Sequence, residues 1–368
     1  MNVWHVAFRV DSLTYTVAKA LSHGVHSVSV WVVAAEADYG LSEGIYRALC
    51  DTPRVRVAKR DETRLPEEID RLIVQSHPRP DESNRDAALL ARRARKITLI
   101  SAGDRNRSRR DALKLQWLET RRLWQHLGRV DRVLYKDGFH RRDLYAPFKP
   151  RGNLGFDVHS QFLHNEELFR LIHAQDWEPA ANRPIRVNFL GCRDPDARAR
   201  VLDGIRSLFD GKAGSAAGDL RKPTFWHEYT NASPVGLDPR EFLSILTRSD
   251  FTLCPRGYSL VTHRPLEALL RGSIPVLSDR ELDLYGVELA DGENCIAVAD
   301  GRWPETIRAL ARIDEQRLVR MRGRIRAMFE GELCYDAVAR RLRASLGVGD
   351  SAGGSAQLAS PPGASVVF

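Results

Sequence analysis

Two short apolar runs, at residues 251–254 and 274–277, constrain the fold of this chain more than any other feature of its sequence. Each run is too short for a helix; Pro255 follows the first run and Pro275 lies near the start of the second, so each predicts a buried strand. Between them, Leu266, Leu269 and Leu270 have the i, i+3, i+4 spacing of a helix that packs one face on a core. This strand, loop, helix, strand unit predicts a crossover between parallel strands in an α/β fold.

The loop between the first strand and the helix carries many hydrogen-bond donors. Ligands of parallel sheets bind outside the carboxyl ends of the strands, and this loop lies at such an end. The unpaired amides and the dipole at a helix N-terminus favour an anion. The alternative is a tight turn with solvated arginines. The candidate binding residues are Arg256, Gly257, Tyr258, Ser259, Thr262, His263 and Arg264.

Three phrases carry a family resemblance: F-x-L-C-P-R-G-Y at 251–258, T-x-R-x-x-E-A-L at 262–269 and G-x-I-P-V at 272–276. In this order they resemble the signature of exostosin-like glycosyltransferases, which are enzymes of the two-domain GT-B type. Thr262 stands where such enzymes often have Ser, and Leu260 stands where they have a small or polar residue. The first exchange retains a hydroxyl group for a phosphate or sugar contact.

The resemblance implies an α/β protein of GT-B architecture, in which two Rossmann-like parallel-sheet domains face a central cleft. It implies an inverting glycosyltransferase that needs no metal and moves a sugar from a nucleotide-sugar, with UDP-sugars favoured, to a hydroxyl acceptor. The acceptor would be a glycan or a glycolipid, and the product a surface polysaccharide or glycoconjugate. Two alternatives are a catalytically inactive nucleotide-binding protein and a basic nucleic-acid-binding protein.

Sugar transfer breaks a bond to a diphosphate leaving group, so negative charge grows on the phosphates in the transition state. Arg256, Arg264 and the amides near Gly257 are the expected donors, because a guanidinium group binds phosphate in two places. Glu267 lies one helical turn after Arg264. The resemblance implies that Glu267 holds the ribose hydroxyls, whereas the alternative is an ion pair with Arg264 or Arg271.

A second strand and helix pattern lies at 185–191 and 196–209. GT-B enzymes often open their second Rossmann-like domain with such a unit, which adds Gly191 and Arg193 to the expected donor site. The aromatic run 225–229 predicts a strand edge near the nucleotide, with plain aromatic packing as the alternative.

Proline and glycine mark candidate hinges within a linker at about 147–184. We expect an N-terminal Rossmann-like acceptor domain at 1–180 and a C-terminal nucleotide-sugar donor domain at 181–346, whose last helix can cross back to the first domain. The Ser/Gly/Pro-rich residues 347–368 predict a disordered tail.

An inverting reaction also needs a general base that deprotonates the acceptor hydroxyl. The first half alternates strand patterns with helical ones, which include 86–95 and 153–175. Four candidate bases follow its predicted strands, and each is also an ordinary cap or loop residue. His77 and Asp104 lead, followed by Asp11 and His140.

No metal is expected. Asp194 and Asp196 form a D-x-D triplet, which binds metal in the other main glycosyltransferase fold. Here, however, an Asp cap followed by Pro195 at the first helical position predicts a helix start. The five cysteines lack zinc-site spacing, and most lie in apolar runs typical of buried thiols.

The net charge of +8 over 368 residues suits anionic ligands, nucleic acid or an anionic membrane surface. The basic segment 105–122 is consistent with a solvated loop, because no nucleic-acid-binding motif accompanies it. A further interpretation of this segment is a peripheral contact with acidic lipid headgroups near a lipid-linked acceptor. The sequence has neither a leader pattern nor an apolar run of bilayer length. We therefore expect a cytoplasmic bacterial relative of the membrane-anchored animal exostosins.

Overall fold

A computed structural model of the chain has an α/β architecture. It describes residues 1–7, 12–24, 29–34, 43–58, 66–76, 83–101, 117, 124–135, 151–154, 162–209, 222–230, 232–233, 236–257 and 261–348. No helix within these ranges is long and apolar enough to cross a membrane. All five cysteines are free thiols, and only Cys254 and Cys295 are buried. The expectation that most are buried is therefore wrong, and Cys50 is exposed.

The first half of the chain builds a parallel sheet. Its described strands are β1 (Asn2–Ala7), β2 (Ser29–Ala34), β3 (Val55–Ala58), β4 (Ile69–Ser76), β5 (Ala94–Ser101), β6 (Val130–Tyr135) and β7 (Arg151–Asn153). Their order across the sheet is β3-β2-β1-β4-β5-β6-β7, and all the pairings are parallel. The order reverses between β1 and β4, which marks the topological switch point of this sheet.

The described α-helices of this half are α1 (Ser12–Ser22), α2 (Glu43–Asp51), α3 (Ser83–Ala91) and α4 (Glu166–His173), and a 3₁₀ helix covers Trp124–Arg129. The sequence patterns do not predict α2 and β3. The helix expected at 86–95 ends at Ala91, because Ala94 already pairs with Ile69 at the start of β5. The helix expected over 153–175 is also wrong in extent, because Asn153 ends β7 and the only helix among the described residues there is α4.

The second half builds another parallel sheet. Its described strands are β8 (Ile185–Cys192), β9 (Thr224–Tyr229), β10 (Ser249–Leu253), β11 (Ile274–Ser278) and β12 (Ile296–Val298), in the order β12-β11-β10-β8-β9. Phe251 of β10 lies opposite Ile274 of β11, which confirms the parallel pair predicted from the two apolar runs. The strand order reverses between β8 and β10, so the switch point of this sheet lies there.

Six described α-helices accompany the second sheet: α5 (Asp196–Arg206), α6 (Pro239–Thr247), α7 (His263–Leu270), α8 (Trp303–Leu310), α9 (Glu315–Met328) and α10 (Tyr335–Leu346). α7 is the helix predicted between the apolar runs, and its three leucines are buried. The chain turns after α7 at Gly272, whose φ is +67°. A Cβ there would lie 2.5 Å from Trp177 Cδ2 and 2.7 Å from Arg183 Nη2, so glycine is required.

A buried ion cluster joins the second sheet to α9. Asp250 of β10 is fully buried, and its Oδ2 accepts from Arg186 Nη1 at 3.0 Å and from Lys222 Nζ at 3.3 Å. Its Oδ1 accepts from Nη2 of the fully buried Arg322 of α9. Because a buried charge is costly without a partner, these groups depend on one another.

α10 returns from the second half to the first sheet, where it packs against α1. Arg343 Nη1 donates to Ala20 O at 3.1 Å. Arg132 of β6 donates through Nη1 to Ala344 O at 2.7 Å and to Ser345 O at 2.8 Å. The carbonyls of Ala344 and Ser345 belong to the last turn of α10, where the helix dipole favours a cation.

Candidate functional site

The loops after β8 and β10 meet at the switch point of the second sheet. Ligands of open α/β sheets bind in the crevice outside the strand ends at such a point. Residues 254–257 follow β10, and residues 261–262 lead into α7. This edge of the sheet therefore brings together the described members of the predicted anion-binding set.

A pocket of about 380 Å³ opens at this edge. The ends of β8 and β9, the start of α6, the start of α7 and the residues that precede α4 form its wall. Its size suits a small organic ligand. Polar groups in the wall come from His164, Asn165, His227, Tyr229 and Arg264, and apolar ones from Phe162, Leu190 and Phe242.

Arg264, the second residue of α7, extends its guanidinium group along the pocket wall. Arg264 Cζ lies 4.3 Å from the centroid of the Phe242 ring, within the range of a cation–π contact. A Cβ added at Gly191 would lie 3.8 Å from Arg264 Nη2, so the guanidinium group also lies near the end of β8. Arg264 Nη1 is buried and has no hydrogen-bond partner among the described residues. An unpaired buried donor in a pocket wall points to a ligand.

Glu267 of α7 is fully buried. Its Oε2 lies 3.9 Å from Arg264 Nε, which matches the intrahelical ion pair named as the alternative to ribose binding. Arg271, the other partner considered, instead donates to Leu171 O at 2.8 Å and pairs with Asp176 at 2.9 Å. The ribose contact of Glu267 stays a prediction.

Arg198, in the first turn of α5, joins the two loops of the switch point. Its Nη1 donates to Cys192 O at 2.8 Å, and its Nε donates to Pro255 O and Arg256 O, each at 3.2 Å. Its guanidinium group lies against Gly257, where an added Cβ would lie 3.1 Å from Arg198 Cζ. A side chain at position 257 would therefore displace this guanidinium group. Burial lowers the pKa of Arg198.

Thr262 is the N-cap residue of α7, but its side chain makes no capping hydrogen bond. Its backbone N–H donates to Tyr285 Oη at 3.0 Å. Burial raises the pKa of Tyr285, which keeps this hydroxyl neutral. His263 begins α7 and is partly exposed, and Arg256 is exposed.

A buried carboxyl group lies at the same edge of the sheet. Glu281 belongs to the 3₁₀ helix Asp279–Leu284, which follows β11 directly. Only 2% of Glu281 is exposed, and its Oε1 is buried with no hydrogen-bond partner in the described part of the chain. Burial raises its pKa to about 8, against the opposing effects of Arg256 and Arg198.

Arg193 is engaged in ion pairs. Its Nη1 donates to Glu228 Oε1 at 2.9 Å, and its Nη2 donates to Asp203 Oδ1 at 2.6 Å. Hydrogen bonds with Asp203 and Glu228 raise the pKa of Arg193. The role of Arg193 in donor binding stays a prediction, and it would require these ion pairs to break. Gly191, the other residue predicted from this segment, lines the pocket.

All four candidate bases and part of the predicted donor site lie outside the described residues. The strands that precede them are described, and β1 and β4 are neighbours at the switch point of the first sheet. The basic segment 105–122 lies outside the described residues except for Trp117, as does the tail from residue 349. The site residues concerned are Asp11, His77, Asp104, His140, Tyr258 and Ser259.

The D-x-D triplet does begin a helix, but not with the expected cap. The N-cap of α5 is Pro195, and its carbonyl accepts from the amides of Arg198 and Ala199 at 2.8 and 3.0 Å. Asp194 Oδ2 instead accepts from Cys192 Sγ at 3.5 Å. Within the described ranges, no group of three or more His, Cys, Asp or Glu residues is arranged to hold a metal ion.

Sequence reasoning misses three residues of this site: Arg198, Tyr285 and Glu281. Arg198 has a signal, because a cation in the first turn of a helix opposes the dipole and so indicates another use for its charge. Glu281 has no such signal, because the sequence does not distinguish it from the other acidic residues beside it. Tyr285 contacts Thr262 because of how the chain packs after β11. A local sequence pattern does not predict a contact between such distant segments.

No family model matches the chain. Two solved structures of HepE from Anabaena are similar to it in fold. The complex with UDP and glucose has a TM-score of 0.52 at 10% sequence identity and covers 94% of this chain and 99% of HepE. The complex with UDP has a TM-score of 0.51 at 12% identity, with the same shares covered. The two parallel Rossmann-like sheets thus confirm the predicted α/β fold of GT-B architecture.

Proposed function

We propose that this chain is an exostosin-like glycosyltransferase that moves a sugar from a nucleotide-sugar, with UDP-sugars favoured, to a hydroxyl group of a glycan or lipid-linked acceptor. The reaction would be inverting and would need no metal, and its product would be a surface polysaccharide or glycoconjugate. The observation that carries the proposal is Arg264 Nη1, which is buried at the pocket without a partner among the described residues. A phosphate oxygen is a partner that such a donor favours.

In the proposed reaction, the acceptor oxygen bonds to the anomeric carbon while the bond from that carbon to the diphosphate breaks. The bonding electrons leave with the diphosphate, so negative charge grows on its oxygens. Arg198, Arg256 and Arg264 supply positive charge at the edge of the second sheet. Donors that are held in position before the reaction stabilise such charge without reorganisation.

Further donor contacts are proposed around these arginines. Tyr229 and His227 add polar groups to the pocket, and HepE, which shares the fold, is described in complex with UDP and glucose. This supports UDP-sugars as the first donors to test. The proposed contact residues are Gly191, Arg193, Gly257, Tyr258, Ser259, Thr262, His263 and Glu267.

We assign residues 181–346 to donor binding and residues 1–180 to acceptor binding, with the linker at about 147–184. The general base then belongs to the first part, and it receives the proton of the acceptor hydroxyl. His77 and Asp104 remain the leading proposals, with Asp11 third. Asp11 and His77 follow β1 and β4, the strands at the switch point of the first sheet, which favours this edge for the acceptor.

Thermal-shift measurements with UDP-, GDP- and CMP-sugars test the donor class, because a ligand that binds only the folded state raises its apparent stability. Donor hydrolysis and transfer assays then separate an enzyme from an inactive nucleotide-binding protein. Arg264→Ala should weaken donor binding about 10- to 100-fold, since it removes a charge-assisted hydrogen bond. The matched control is Arg324→Ala, which removes an exposed arginine paired with Glu293 and should bind donor normally.

Full donor affinity and turnover in Arg264→Ala would refute this assignment of the pocket. Donor binding without hydrolysis or transfer to any acceptor would favour the inactive nucleotide-binding protein. Tight binding of nucleic acid near physiological salt, with a steep salt dependence, would favour the third function.

A further inference from the structure

Glu281 is a buried carboxyl group that the proposed transfer reaction does not use. It is 2% exposed, and its Oε1 is enclosed without a hydrogen-bond partner among the described residues. An ionised carboxylate without hydrogen bonds is costly in such surroundings, so the neutral form is favoured. Burial accordingly raises the pKa of Glu281 to about 8.

The charges around Glu281 come from the same edge of the second sheet. Arg256, after β10, and Arg198 of α5 both lower its pKa, and Asp279 of its own helix raises it. β11 and β12 pack against that helix and carry no charged residue. The other titratable groups that interact with the carboxyl are Cys254 and Tyr285, whose own pKa values are raised mainly by burial.

We propose that Glu281 takes up a proton when an anionic diphosphate ligand binds at Arg198 and Arg256. This inference rests on the proposed function, because the ligand is the diphosphate of a nucleotide-sugar. Bound phosphates add negative charge near the carboxyl group. They also engage the two guanidinium groups that favour its ionised form. Both effects disfavour the ionised form of Glu281.

The proton comes from solvent, and no covalent bond of the ligand changes. Binding that raises the pKa of a group is favoured at low pH, where that group already carries its proton. Donor affinity should therefore be constant at acidic pH and fall as the pH rises through the pKa of the free protein. The fall can reach about tenfold per pH unit.

Isothermal titration calorimetry of the full chain with UDP-glucose tests the proposal. Titrations near pH 8 in HEPES and in Tris differ in apparent enthalpy if protons are exchanged, because the two buffers differ in ionisation enthalpy. The charge of UDP-glucose is constant near this pH, since neither phosphate has a free terminal group. A carboxyl group with a pKa of about 8 is half ionised there, so the uptake should reach up to about half a proton per ligand.

Glu281→Gln should bind UDP-glucose with no proton uptake, whereas the exposed control Glu293→Gln should keep the uptake of the wild-type chain. Zero uptake by a wild-type chain that binds UDP-glucose overturns the inference and leaves the proposed function standing. Equal uptake in Glu281→Gln and wild type overturns it as well. Failure of the wild-type chain to bind in either buffer refutes the proposed use of UDP-sugars, and this inference with it. The wild-type titrations can still overturn the inference if the Gln variant does not fold, because zero uptake by the wild-type chain excludes it.

Discussion

The contact between Arg198 and Gly257 can be measured by a double-mutant cycle. Gly257→Ala adds a Cβ that would lie 3.1 Å from Arg198 Cζ and closer still to Nη2, so the guanidinium group must move. Movement weakens the bonds that it donates to three carbonyl oxygens at 2.8–3.2 Å. A hydrogen bond from a charged donor contributes about 1.5–3 kcal/mol, and this group is partly exposed. We therefore expect the free energy of unfolding to fall by about 1–2 kcal/mol.

The same substitution should cost much less once the arginine is absent. In an Arg198→Ala background the new methyl group of Gly257→Ala meets no guanidinium group, and we expect a change below about 0.5 kcal/mol. Urea unfolding of the four proteins in the cycle then gives a coupling energy of about 1–2 kcal/mol. Effects that add to within about 0.5 kcal/mol would refute the reasoning, because residues without a shared contact behave in that way.

Two further predictions concern buried carboxyl groups. Asp250→Asn removes the carboxylate that pairs with the buried Arg186 and leaves the buried Arg322 with only the more distant of its two described ion-pair partners, Glu315 at 3.6 Å. It should lower the free energy of unfolding by about 3–5 kcal/mol, whereas Asp203→Asn, at an exposed pair, should cost less than about 1 kcal/mol. Equal urea midpoints for the two variants would contradict this. Glu281→Gln should stabilise the fold at neutral pH by at least about 1 kcal/mol. The folded pKa of about 8 lies above the ordinary 4.5, so wild-type stability falls as the pH rises between these values. Thermal unfolding should show the difference vanish below about pH 4, and a pH-independent difference would contradict the assignment.

The second sheet could be predicted well because its local signals agree with its packing. The apolar runs at β10 and β11 are short, with Pro255 after the first and Pro275 near the start of the second, and the leucines of α7 have the spacing of one helical face. An Asp followed by Pro is a common helix start, and Asp238 before Pro239 caps α6 by accepting from the amides of Arg240 and Glu241.

The first half was harder to predict because its periodicity is weaker. β3 is only four residues long, and β7 only three, so neither gives an alternation that can be recognised. Arg95 lies in a basic segment that looks helical, yet β5 pairs with β4 on one side and β6 on the other. Pairing across a sheet overrides local propensity here.

The contacts of the site also fall into those that the sequence predicts and those that it does not. Arg264 and Glu267 share a helix, so their contact follows from their spacing. Arg198 reaches Pro255 and Arg256 from another helix, and Tyr285 reaches Thr262 from beyond β11. Such contacts depend on strand order, which the sequence does not display.

The return of α10 to the first sheet affects how this chain can fold during its synthesis. α1 is made before the second sheet, whereas Arg343 of α10 is made only after it. Arg343 donates to the carbonyls of Ala20 and His23, at the end of α1. Chains fold from the N-terminus as they emerge, so α1 lacks its packing partner until the second sheet has been made. A ribosome-bound chain that stops before Tyr335 should therefore expose apolar surface beside α1, which is the kind of surface that chaperones bind.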